Sequence, residues 1–282
     1  MPRITGSSHG ESQLRLLRIV RRGDRHDPKD LTVSCRLESG PPSAGLEDVP
    51  PLAVPGEALK NLVHATAREA AHGEIEPFAL AVCQRLLETF PQITRVRLEV
   101  AEQVWRRLEI GGKAQGQAFE AGGAERRTTA VTSNGRQIAV VSGIADLMLL
   151  RTAGLRAPSP PRPHDDPTGI EDGVQRLLAG ALDVRWTYSS PDVTFGPYRQ
   201  GVRHVIVETF AAHARHSVRR TLASIADVAL ASFPEILDIT LSMHERPFRP
   251  ADLFSAGVEN PDDLFLVIDE PLGTVEITVE RT

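Results

Sequence analysis

One stretch of the chain occurs twice in outline: Leu87 to Leu98 (LETFPQITRVRL) returns at Leu230 to Leu241 as LASFPEILDITL. Each copy closes a helical pattern at Phe-Pro, where proline cannot continue the helix and biases the residue before it toward extended backbone. Each then enters a strand-like run. A duplicated helix-to-strand junction restricts the chain to two copies of one supersecondary unit, and every other segment takes its place relative to these anchors.

Before the first anchor, Leu14–Arg21 and Leu31–Leu37 are predicted strands joined at Arg22-Gly23-Asp24, a turn sequence. Two helices follow, marked by Leu59, Leu62, Val63, Thr66 and Ala67, then by Phe78, Val82, Leu86 and Phe90 at three- and four-residue spacing. Strands at Thr94–Leu108 and Gln117–Ser133 complete the first unit. The second unit repeats the order. It has strands at Gln137–Thr152 and Asp183–Ser190 and helices at Tyr198–His213 and Ser217–Phe233. Its last strands are Leu237–His244 and Leu264–Arg281, the latter folding at Pro271-Leu272-Gly273-Thr274. The fold class expected is therefore α+β: two β-β-α-α-β-β domains, residues 9–135 and 136–282, with antiparallel sheets covered by helices on one face. The uncovered faces call for oligomerisation. Pro41–Pro55 and Ala157–Gly169 are Pro-rich surface loops.

Apolar residues make up 41% of the chain and charged residues 24%, which suits two packed cores rather than disorder. A net charge of −5 offers no basic face for nucleic acid. No apolar run is long enough for a membrane span, and Met1–Gln13 lacks the core of a secretory signal, so a cytoplasmic protein is expected. Cys35 and Cys83, the only cysteines, are read as buried thiols. His213 and His216 on a helix, and His164-Asp165-Asp166 in a loop, lack the three or four convergent ligands that a metal requires. Arg215, Arg219 and Arg220 read as a solvated helix face, and Trp105 and Trp186 as core or interface residues.

The landmarks, in this order, resemble the urate oxidase (uricase) family, tandem members of the tunnelling fold. The most specific stretches are Gly23-Asp24-Arg25-His26, Lys60-Asn61, Glu76–Leu108, Glu125-Arg126-Arg127-Thr128, Val140–Ile144 and Asn260–Thr278. The resemblance implies homotetramers in which sheets of two subunits join into a barrel, with active sites at subunit interfaces. It also implies a reaction without metal or organic cofactor. A Lys-Thr-His relay moves protons while urate, stacked on a Phe and held by Arg and Gln, reacts with dioxygen.

Carried across residue by residue, the resemblance places those roles on altered side chains. The relay Lys falls on Glu11, the relay Thr on Gly56, followed by Glu57, and the relay His on Pro247. The stacking Phe falls on Ser159, the amide clamp on Arg219 and the oxygen-side Asn on Glu245, while the binding Arg matches Arg176. Ile170 and Val218 join these as candidate ligand contacts. Gly56 and Pro247 have no titratable group and cannot relay protons near neutral pH. Glu11, Glu57 and Glu245 outweigh Arg176 and Arg219, so the set is net negative and suits the urate anion poorly. Either arginine, paired with these carboxylates, would fill the pocket with an internal ion network. The expected function is that of a uricase-like homologue, inactive or diverged. The alternative is a cofactor-independent oxidase of urate or another purine-like heterocycle bound at the subunit interface.

Overall fold

The computed structural model describes residues 7–39, 54–152, 177–213, 217–261, 263–268 and 273–281. The first unit comprises β1 (Ser7–Arg22), β2 (Arg25–Ser39), α1 (Gly56–Ala70), α2 (Ile75–Thr89), β3 (Ile93–Ile110) and β4 (Lys113–Ser133). The second comprises β5 (Ile138–Arg151), β6 (Leu178–Tyr188), α3 (Phe195–Ala212), α4 (Val218–Ser232), β7 (Ile236–Arg246), the short β8 (Phe248–Pro250) and β9 (Phe265–Val267), and β10 (Thr274–Glu280). The β-β-α-α-β-β order read from the sequence thus appears twice.

The two halves do not lie as separate sheets. Strands β1 to β7 and β10 form one antiparallel sheet in chain order, with β4 and β5 joining the repeats. Strand alternation sends Val33, Cys35, Leu37, Val96, Leu98, Val100, Leu182, Val184, Trp186, Ile239 and Leu241 to one face, where all are buried. The helices cover that face. Leu59 and Val63 of α1, Phe78, Val82 and Leu86 of α2, Val202 and Ile206 of α3, and Leu222 and Ile225 of α4 pack onto it as one continuous core. The opposite face presents Arg36, Arg97, Glu99, Arg185 and Glu276 to solvent. No helix among the described residues is long and apolar enough to cross a membrane.

One expectation is corrected. Leu264–Arg281 does not form a hairpin on the main sheet: only Thr274–Glu280 pairs with β7, while Phe265–Val267 pairs with Phe248–Pro250 in a separate two-stranded sheet. The cause is Asn260, whose Nδ2 donates to the Ala251 (2.9 Å) and Leu264 (2.8 Å) carbonyls while Oδ1 accepts from the Asp263 and Leu264 amides. That clasp turns the chain back on itself just before β9. Residues 269–272, which carry the first half of the expected turn, lie outside the described residues.

The duplication extends to irregularities that the pattern of apolar residues does not reveal. β1 bulges between Glu11 and Leu14, with Gln13 at φ 59° and its amide donating to Ser34 Oγ (3.2 Å). β5 bulges between Ile144 and Leu147, with Asp146 at φ 56° and its amide donating to Asp183 Oδ1 (2.8 Å). Both bulges follow a glycine, Gly10 or Gly143, at which an added Cβ would collide with the carbonyl of the neighbouring strand. Bulges of this kind bend a strand and re-aim the side chains beside them.

Polar contacts fasten the second repeat to the first. Arg199 of α3 grips Glu74 with two hydrogen bonds (2.9 and 3.1 Å), and Arg203 grips Glu125 of β4 (2.7 and 2.8 Å). Burial opposes ionisation of Glu74, but the Arg199 bonds and charge outweigh it and hold the carboxyl low; the Arg203 bond does the same for Glu125. Glu76, on the first turn of α2, is different. It is 1% exposed, its Oε1 accepts from the Ser142 hydroxyl of β5, and its Oε2 has no partner. Burial pushes its pKa up. Both cysteines are buried free thiols, each pushed up to about 12 by burial.

Two outcomes follow from these contacts. Arg199→Ala strands a half-buried carboxylate, so the urea midpoint falls at unchanged slope, and the unfolding free energy drops by less than the roughly 3–5 kcal/mol of a fully buried pair. The raised Glu76 carboxyl keeps a proton that the unfolded chain releases above about pH 4.3. Its contribution is therefore complete in acid and declines as pH rises toward the folded value. Glu76→Gln keeps an acceptor for Ser142 without the charge, so its melting temperature exceeds that of the wild type at neutral pH and converges with it in acid.

Candidate functional site

Glu11 lies on β1 immediately before the bulge, opposite Cys35, which places it on the helix-covered face at the edge of the sheet. Its carboxylate meets the start of α1. A Cβ built on Gly56 falls well inside van der Waals contact of Glu11 Oε1 and 3.4 Å from Cδ. Lys60, one turn along the helix, places Nζ 4.0 Å from Glu11 Oε2 and 3.3 Å from Glu57 Oε1. The Glu57 side chain is 81% exposed and the Glu11 side chain 31%. Next to this group the Val54 amide donates to His9 Nε2 (2.9 Å). The positions that the resemblance assigns to a relay lysine and threonine are thus brought together, but as an acid against a missing side chain.

Glu245 and Pro247 stand at the other end of the sheet. Glu245 pairs with Gly180 in the register that sets Met243 opposite Leu182, so it too lies on the helix-covered face. With Pro247, Phe248, Phe265, Leu178 and Gly273 it lines a cavity of about 380 Å³. Its amide donates to the Gly273 carbonyl (3.3 Å). His244, one residue earlier, alternates to the open face, with Nε2 3.4 Å from Asp183 Oδ2 and Nδ1 3.1 Å from Thr274 Oγ1.

Five strands separate β1 from β7 in the sheet, a span of about 29 Å at the usual strand spacing. Glu11 and Gly56 on one side, and Glu245 and Pro247 on the other, are therefore two candidate half-sites that do not meet within one chain. Of the remaining candidates, Val218 is a core residue 6% exposed, and Arg219 is exposed at the start of α4, where Ser217 Oγ caps the helix by accepting from the Arg220 amide. Ser159, Ile170 and Arg176 lie outside the described residues, as do Arg215, His216 and the His164-Asp165-Asp166 segment. Among the described residues no group of three His, Cys, Asp or Glu side chains converges as metal ligands.

Of the two arginines expected to pair with these carboxylates, Arg176 lies outside the described residues and Arg219 makes no ion pair among them; the cation that faces Glu11 and Glu57 among the described residues is Lys60. Lys60 was legible as part of Lys60-Asn61 and by its three-residue spacing from Glu57, which puts both on one helix face.

Comparison with known proteins bears on the same two regions. The family model described as Uricase matches residues 140–276. The chain is 27% identical over 275 residues to a uricase of Arthrobacter globiformis, covering 98% of this chain and 89% of that protein. It is 27% identical over 281 residues to a uricase of Danio rerio, covering 98% and 94%. The crystal structure of the Arthrobacter globiformis uricase superposes with a TM-score of 0.85 at 26% identity, over 99% of this chain and 94% of that one. The matches to these relatives run nearly end to end in sequence and in three dimensions, and the chain is uricase-like throughout its length.

Proposed function

We propose that this uricase-like protein has lost urate oxidation and persists as a homo-oligomer, a tetramer, with a structural, regulatory or ligand-binding role. The observation that carries this reading is the first half-site. The position assigned to a relay ammonium holds the Glu11 carboxylate, and Gly56 beside it has no side chain to exchange a proton. A relay needs groups that pass protons in sequence near neutral pH, and a gap at one position interrupts it. The second half-site supports the same reading through Pro247. His244 does not compensate, because strand alternation directs it to the opposite face, against Asp183. Ser159 in place of the family's Phe forfeits roughly 0.5–1.5 kcal/mol of stacking beyond area burial.

One observation favours a second reading, a cofactor-free oxidase of urate or a less anionic purine-like heterocycle. The cavity at Glu245 keeps about 380 Å³ and two aromatic walls, Phe248 and Phe265, within the size range of small-molecule pockets. Glu57, Glu245 and Arg176 are the contacts such a ligand would use.

Purified protein in air-saturated buffer is expected to leave the ultraviolet absorbance of urate unchanged. Cofactor-free loss of urate that a xanthine analogue blocks would overturn the first reading and support the second. The oligomer is tested separately by light scattering. A mass four times the 30.7 kDa chain is expected, and a monomer mass would refute it.

A further inference from the structure

We infer that Glu11 and Gly56 are a matched pair: the carboxylate occupies the space at the start of α1 that any side chain at position 56 would need, and so the half-site is filled from within. The inference concerns the chain's own packing and stands whether or not urate is turned over. Glu11 Oε1 lies where a Cβ on Gly56 would be built, and Oε2 faces Lys60 Nζ at 4.0 Å. The carboxylate therefore sits at the amino end of a fifteen-residue helix that has no side-chain cap of its own, where a negative charge is favoured. It is also one of three clasps that hold the edge strand to this helix. Val54 donates to His9 at one end, and Arg18 Nη1 donates to the Ala67 carbonyl (2.6 Å) at the other.

Gly56 is not in the left-handed region, so its backbone does not require glycine. A glycine at a position with ordinary backbone angles normally lowers stability by enlarging the unfolded ensemble, and alanine recovers the loss. Here that recovery is reduced, because a methyl group at 56 displaces the Glu11 carboxylate from its contacts at the helix start. The consequence is that the two positions are coupled: a side chain at 56 must move the Glu11 carboxylate from its place beside Lys60, and removing Glu11 alone leaves the hydroxyl absent.

The test is a double-mutant cycle read by thermal unfolding. In the Glu11→Ala background, Gly56→Ala is expected to raise the melting temperature by about 1–4 °C, the gain of a Gly-to-Ala change in a chain of this size. In the wild-type background the same substitution gives a smaller rise or a fall. Glu11→Gln, matched in volume, keeps the gain suppressed. Equal shifts at position 56 in the wild-type and Glu11→Ala backgrounds would overturn the pairing. A full gain in the Glu11→Gln background would overturn its steric basis.

Discussion

Residues 126–133 pair with 138–145 in unbroken register, and this ladder makes two repeats into one sheet. Without it each repeat is a four-stranded layer with two helices and two open edges. With it, the apolar faces of both repeats become continuous, and Trp186 and Ile144 can be buried in the same core as Val33 and Leu98. The clamps of Arg199 on Glu74 and Arg203 on Glu125 then reach across a joint that is already closed. Because the helices are used up on one side, the other side remains a broad polar surface. The two candidate half-sites, one at the β1 edge and one at β7 beside the β10 edge, have most of the sheet's width between them.

The elements themselves were legible because apolar periodicity and the Phe-Pro junctions report directly on which residues face a core. Thr94–Leu108 became Ile93–Ile110, and Ser217–Phe233 became Val218–Ser232 with Ser217 as its cap. What escaped was set by tertiary context. The departure of Phe265–Val267 from the main sheet depends on four hydrogen bonds of one asparagine, which leave no periodic trace. The bulges at Gln13 and Asp146 depend on side chains of the adjacent strand, Ser34 and Asp183, and look in sequence like ordinary polar positions.

The candidate site was legible in its losses more than in its contacts. That Gly56 and Pro247 cannot titrate follows from residue type alone. That Glu11 reaches into the space above Gly56 is a matter of which way an edge strand is bent, and sequence spacing carries no such information. Lys60 shows the intermediate case: its distance along the helix from Glu57 was readable, whereas its approach to Glu11, 49 positions away, required the fold.

The twin bulges have a consequence for how the two repeats can diverge. Glu11 and Ile144 hold equivalent places, each the last paired residue before the irregularity, yet one is a carboxylate and the other is 2% exposed hydrocarbon. β1 has a neighbour on one side only, while β5 is flanked by β4 and β6. At the place just before the bend, the rim of the sheet therefore accommodates an ionisable group where the interior copy buries hydrocarbon. Of these two matched places, the one at the margin of the sheet is chemically variable, while its interior twin is held to packing.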